Sequence, residues 1–238
     1  MTEQVVAADY EQRIVETVAD FCLEVVRNPL CYFSEADLQL LLAEALRTHE
    51  PFRRPVPTQV HRGEKSKGTY GTPLLHREYG GGNGTRIDIV ILDPNEVRQI
   101  DNANLTVKGK YLTPLYAFEL GTEKTQNARD HLQHDLTKLR TASRGYVIHF
   151  FKDTTKAKTG TDARARTEAK VNRIFREAFA RRTTAGYEHV RILALLLRTG
   201  RNQRAIRGKC EVFTGETWVK ANVSRGESLR NAILDQLR

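Results

Sequence analysis

Two short apolar runs, each interrupted by one carboxylate, constrain this chain more than any other feature. Arg86–Leu92 reads R-I-D-I-V-I-L, where Ile87, Ile89 and Ile91 alternate with Asp88 and Val90 at the period of a β-strand. Leu115–Leu120 reads L-Y-A-F-E-L and carries Glu119. A lone carboxylate in a strand with apolar faces is costly unless it is paired, solvated or bound to a metal. Two such intrusions on separate strands are harder to reach by accident than one. If the strands are neighbours, the two carboxylates converge on one hard cation. Mg²⁺ suits such a site, because it takes oxygen ligands at about 2.1 Å and keeps several waters.

The flanking segments predict the elements around this pair. Ile14, Val18, Phe21, Cys22 and Val25 have the spacing of an amphipathic helix over 9–27, closed by Asn28-Pro29. Ser34 reads as an N-cap with Asp37 three residues on, opening a helix over about 35–48 with Leu38, Leu41, Leu42, Ala45 and Leu46. Pro51, Pro55 and Pro57 break the chain, and the polar stretch 58–80 has strand-like pieces around Thr58–Arg62 and Pro73–Tyr79. The glycine-rich turn 80–84 matches neither a Walker A loop nor a dinucleotide fingerprint. Residues 93–110 read as a loop with some hairpin character. A helix over 127–141 has Leu132, Leu136 and Leu139 as its inner stripe, and Tyr146–Phe151 (Y-V-I-H-F-F) reads as a central strand. A polar loop over 152–162, a basic helix over 163–182, a strand at Ile192–Leu197, strands at Cys210–Thr214 and Thr217–Asn222, and a helix over 226–237 complete the order. The expectation is one α/β domain spanning 1–238: an N-terminal helix, a core over about 34–151 and an extension over about 152–238.

The net charge of +9 and isoelectric point of about 9.6 suit a polyanion partner, since neutralising phosphates releases counterions. They also fit a basic protein with no such partner. The basic helix carries Arg164, Arg166, Lys170, Arg173, Arg176, Arg181 and Arg182 against Glu168 and Glu177. Lys156 and Lys158 precede it, and Arg198, Arg201, Arg204, Arg207 and Lys209 form a second cluster. One reading is a phosphate-backbone track with Lys170, Arg173, Arg176 and Arg181 as contacts; the other is a solvated helix face. The three cysteines, Cys22, Cys31 and Cys210, have no CxxC spacing and support neither a disulfide framework nor a zinc site. With no signal-peptide pattern and no apolar run long enough to span a bilayer, a reduced cytoplasmic setting without membrane contact is expected.

In order, a helix with S-E-A-D-L-Q, a strand with H-R-E-Y, R-I-D-I-V-I, Y-A-F-E-L and a helix with H-D-L-T-K-L resemble the PD-(D/E)XK, or restriction-endonuclease-like, nuclease superfamily over about 34–151. The resemblance implies an α-β-β-β-α-β core with a mixed central sheet flanked by helices. It also implies Mg²⁺- or Mn²⁺-dependent cleavage of DNA phosphodiester bonds. Carried over residue by residue, Asp88 matches the metal-binding aspartate and Glu119 the acid of the E-x-K element. Glu35, or less well Glu44, matches the extra first-helix carboxylate. The chain departs from the pattern at 121, where the family's lysine is replaced by Gly121. Either Lys124 reaches back to assist the attacking water, or the domain is a catalytically silent module that binds nucleic acid or a partner protein. An active nuclease would fit host defence or mobile-element processing.

Other residues remain open between function and plain surface. His131 and Asp135, spaced i,i+4, read as a phosphate or water contact or as a surface pair, and Lys138 lies on the same helix. Glu78 is an additional carboxylate or an exposed strand residue. Tyr187 and Trp218 read as core. The N-terminal helix covers the chain's own sheet or packs on a partner, and a homodimer is compatible with the sequence.

Overall fold

The computed structural model describes residues 3–28, 31–32, 34–50, 52–62, 66–80, 85–99, 112–123, 128–153, 162–184, 186–198, 209–213, 218–222 and 226–238. Its elements in chain order are α1 (Glu3–Arg27), α2 (Glu35–Arg47), β1 (Val56–Arg62), β2 (Ser66–Thr72), β3 (Leu75–Gly80), β4 (Arg86–Leu92), α3 (Pro94–Gln99), β5 (Pro114–Glu123), α4 (Ala128–Lys138), β6 (Arg144–Asp153), α5 (Asp162–Thr184), β7 (Val190–Arg198), β8 (Lys209–Phe213), β9 (Trp218–Asn222) and α6 (Gly226–Leu237). A short 3₁₀ turn, Leu139–Thr141, follows α4.

The fold is mixed α/β. Seven strands form one sheet in the order β3-β4-β5-β6-β7-β8-β9, with helices against it. β3, β4 and β5 run antiparallel, β5, β6 and β7 run parallel, and β7, β8 and β9 run antiparallel again. The parallel strands are covered on both faces, which explains why β6 and β7 read as almost continuous apolar runs. On β6, the expected central strand, neighbouring side chains serve opposite faces. Phe150 meets Phe21 of α1 edge-on at 5.8 Å, and Phe151 meets Phe175 of α5 at 4.9 Å and 90°. Thus α1 covers the chain's own sheet, with Ile14, Val18, Ala19 and Cys22 fully buried.

The helix ends follow their sequence signals. Ser34 caps α2 in a complete capping box with Asp37. Tyr187 packs against the core. Cys22 is buried and Cys31 exposed, and among the described residues no helix is long and apolar enough to cross a membrane.

Two elements depart from the sequence-based expectation. β2 pairs antiparallel with β1 in a separate two-stranded sheet, from Val56 opposite Thr72 to Arg62 opposite Ser66. The polar, glycine-containing S-K-G-T-Y-G-T has no apolar alternation to announce a strand; backbone pairing makes it one. Within the stretch read as a loop, α3 forms behind Asp93, whose carboxylate accepts the Asn95 N–H at 2.7 Å, with Pro94 at the first helical position. Residues 100–111 lie outside the described residues.

Candidate functional site

The site lies where β4 and β5 part. Their pairing runs through Ile91–Tyr116, Val90–Ala117 and Ile89–Phe118. Beyond that point β4 stays paired to β3 as far as Gly80–Arg86, and β5 stays paired to β6 as far as Glu123–Phe151. One step past Ile89–Phe118 on the same register stand Asp88 and Glu119, on one face of the sheet because directly opposed residues share a face. The Leu120 N–H, facing the gap, donates to Asp88 Oδ2 at 2.8 Å. An aspartate in an isoleucine run thus closes the end of an interstrand ladder.

Helix α4 brings the cation. Leu132, Leu136 and Leu139 are buried, and Asp135 sits within that stripe, three residues after Leu132 and four before Leu139. One turn on, Lys138 Nζ donates to Glu119 Oε2 at 2.7 Å. The same nitrogen is 3.2 Å from Asp135 Oδ1, an ion pair without hydrogen-bond geometry. Asp135 Oδ2 lies 2.9 Å from His149 Nε2 of β6 and 3.7 Å from His131 Nε2. Glu119 is 1% exposed, and Asp135 and His149 are fully buried. Glu119 Oε1 is buried without a hydrogen-bond partner among the described residues.

Crowding of negative charge sets the protonation balance. Burial pushes the Asp88 carboxyl up to about 6; the Asp135 and Glu35 charges add to this, and the Leu120 N–H and Lys138 oppose it. Burial, then the Asp88 and Asp135 charges, push Glu119 well above the usual carboxylate range against the pull of Lys138. Asp135 goes the other way. Burial would raise it, but the His149 hydrogen bond, with His131 and Lys138, holds it below its ordinary value. An ionised Asp135 accepts, so His149 carries its proton on Nε2. Burial disfavours the Lys138 charge, yet Glu119, Asp135 and Asp88 together hold its pKa above the ordinary value.

The same geometry explains Gly121. It pairs with His149 across β5 and β6, and a Cβ on residue 121 would stand 2.8 Å from ring atoms of His149. A lysine cannot occupy this position without displacing a buried, hydrogen-bonded imidazole. Lys138, approaching from the helix, supplies an ammonium at the carboxylate that a side chain at 121 would otherwise flank.

The other candidate residues are distributed unevenly. Glu35, the first residue of α2, is half-buried and its charge reaches Asp88, whereas Glu44 is exposed. Lys124 lies outside the described residues. Lys170, Arg173, Arg176 and Arg181 are exposed on α5. Glu78 is exposed, stands on β3 with φ of 51°, and its carboxylate lies 4.0 Å from the Arg86 guanidinium. The surface-pair reading of His131 and Asp135 is overturned, because Asp135 is fully buried. The sequence reading missed His149 altogether, although a histidine inside Y-V-I-H-F-F is the same kind of polar intrusion as Asp88.

Hard oxygen donors, one of them buried and without a hydrogen-bond partner among the described residues, fit a hard divalent cation. Among the described residues no group of three His, Cys, Asp or Glu side chains is placed to hold a metal ion. Asp88 and Glu119 could supply two carboxylates to such an ion, which commonly keeps several waters. No protein-family model, no curated protein and no solved structure matches the chain.

Proposed function

We propose that the protein is a metal-dependent nuclease of the PD-(D/E)XK type that hydrolyses DNA phosphodiester bonds. The observation that carries this reading is Glu119: buried, opposite Asp88 at the parting of two strands, with one oxygen on Lys138 and the other without a hydrogen-bond partner among the described residues. The order α2, β3, β4, β5, α4, β6 supports it, since it matches an α-β-β-β-α-β core once the β1–β2 hairpin and α3 are taken as insertions.

A bound Mg²⁺ or Mn²⁺ would polarise a phosphoryl oxygen and lower the pKa of a water molecule. Asp88 and Glu119 would hold it, with the Glu35 charge behind Asp88. Lys138 is held at Glu119 and stays protonated, so it acts as a fixed positive charge and hydrogen-bond donor to phosphate or water, not as a base. The exposed cations of α5 would take phosphates away from the scissile bond.

The test is plasmid cleavage in Mg²⁺ or Mn²⁺ by the wild type beside Asp88→Ala. Nicking by the wild type alone supports the reading, and equal nicking by both removes it. Salt-sensitive DNA binding that survives Asp88→Ala, with no cleavage in either metal, would assign a binding module instead.

A further inference from the structure

Among the described residues Lys138 lies within ion-pair distance of two carboxyl groups, and they face different tasks. Glu119 Oε2 takes its hydrogen bond at 2.7 Å, but Glu119 also offers the site a buried oxygen that has no hydrogen-bond partner among the described residues. A carboxylate that gives its charge to a cation holds an ammonium less strongly, and two positive centres on one carboxylate repel each other. Asp135 has no such second duty. It is fully buried, its Oδ2 is held by His149 Nε2 at 2.9 Å, and its Oδ1 lies 3.2 Å from Lys138 Nζ. That Oδ1 has no hydrogen bond among the described residues, so it is an acceptor held in reserve beside the ammonium. His149 is fixed in turn, packed flat against Gly121 where no Cβ fits and stacked over Phe151 at 6.1 Å.

We propose that Asp135, clamped by His149 against Gly121, is the anchoring counter-ion of Lys138, keeping its ammonium at the site when Glu119 is engaged elsewhere. This deepens the nuclease reading and rests on it for its catalytic meaning: Asp135 is a positioning residue that acts through Lys138. Four elements meet in the device. β5 contributes Glu119 and Gly121, α4 contributes Asp135 and Lys138, β6 contributes His149, and β4 contributes Asp88 across the gap.

The anchoring is tested without turnover by ¹H–¹⁵N correlation spectra of the lysine ammonium groups of the full chain, with Lys138→Met assigning the signal. Glu119→Gln stands in for a Glu119 whose charge is spent. A slowly exchanging Lys138 signal is expected in the wild type and in Glu119→Gln, and its loss is expected in Glu119→Gln/Asp135→Asn. Loss in Glu119→Gln, persistence in the double variant, or absence from the wild type overturns the proposal. If the double variant does not fold, Glu119→Gln alone decides.

Cleavage kinetics give the second readout. Asp135→Asn should lower kcat by about ten- to a hundredfold with KM within about twofold, the range for supporting groups behind a metal site. Asp135→Glu, which restores the charge, should recover part of the loss, whereas a purely structural role would lower the folded fraction and leave kcat per folded molecule unchanged. A protein that shows the expected spectra and cleaves no DNA keeps the anchor and loses the nuclease reading. A protein that cleaves DNA but loses the Lys138 signal in Glu119→Gln does the reverse.

Discussion

Helices α4 and α5 lie on the same side of the sheet, and both are rich in charge, but they use it in opposite ways. α4 turns Asp135 and Lys138 inward, onto Glu119 and His149. α5 turns Val171, Ile174, Phe175 and Ala178 inward and leaves Lys170, Arg173, Arg176 and Arg181 in water. The Arg173–Glu177 ion pair on α5 spans 3.9 Å with both side chains substantially exposed, which makes it worth little. The Lys138–Glu119 pair spans 2.7 Å with the carboxylate 1% exposed. A pair of this kind adds little net stability over an apolar equivalent, yet is expensive to break from one side. The contrast shows that a helix charge matters to the fold according to the stripe it occupies, not according to its neighbours in sequence.

The sharpest way to break the comparison is Lys138→Met. It leaves Glu119 and Asp135 facing each other without their cation, so unfolding free energy should fall by about 3–5 kcal/mol by denaturant titration. DNA cleavage, where present, should fall with it even in the fraction that stays folded. Arg173→Met on α5 should leave the denaturation midpoint within the error of the measurement. Equal effects from the two substitutions would erase the distinction between the helices.

A smaller effect comes from pH. With Asp88 at about 6 in the fold and 3.8 as its ordinary value, the folded state holds the proton more tightly across that window. The contribution of Asp88 to stability is therefore present below about pH 4 and is lost as pH rises to about 6 and beyond. The shift corresponds to at most about 3 kcal/mol, and to less because Asp88 is partly open to water. Mn²⁺ should offset that loss, raising the thermal midpoint more at about pH 7.5 than at about pH 5. In Asp88→Asn the difference between the two pH values should shrink. A metal-induced shift of equal size at both would place the cation elsewhere.

Gly121→Ala probes the same site through packing. Its new Cβ would meet the His149 ring at 2.8 Å, so a cost of about 1–3 kcal/mol is expected. In a double-mutant cycle with His149→Ala the clash term should disappear, giving a coupling energy of at least about 0.5 kcal/mol. Additive losses would mean that the ring does not set the glycine.

The placement of Asp88 and Glu119 on adjacent strands was legible because each is a lone carboxylate within an apolar run. The neighbouring β6 carried the same signal in His149, but one histidine among aromatics reads equally well as core. Asp135 was legible too, as the one acid among Leu132, Leu136 and Leu139; the i,i+4 pairing with His131 drew attention to a surface it does not occupy. Lys138 as the partner of Glu119 could not be read from the chain, because nothing in the spacing says how α4 lies across β5. The same holds for Gly121, whose reason is a contact with a residue 28 positions away, at His149. Local period and capping fix where elements start and which side they bury, whereas the meeting of helix and strand ends is set by packing between distant segments.

The smallest stability effect, and the one that tells most about α5, is replacement of Lys170, Arg173, Arg176 and Arg181 together by Gln. All four are exposed, so the thermal midpoint should stay within about 2 °C of the wild type. If α5 follows a DNA backbone, each lost phosphate contact should flatten the plot of log affinity against log salt by about 0.9. The quadruple variant should then lose a slope of about 3–4 while Asp88→Ala, on the same duplex, leaves the slope unchanged. An unchanged slope in the quadruple variant would return these residues to plain solvated surface. α4 rather than these four cations of α5 would then carry the charge that bears on function, and the net charge of +9 would have to find its polyanion, if any, through other residues.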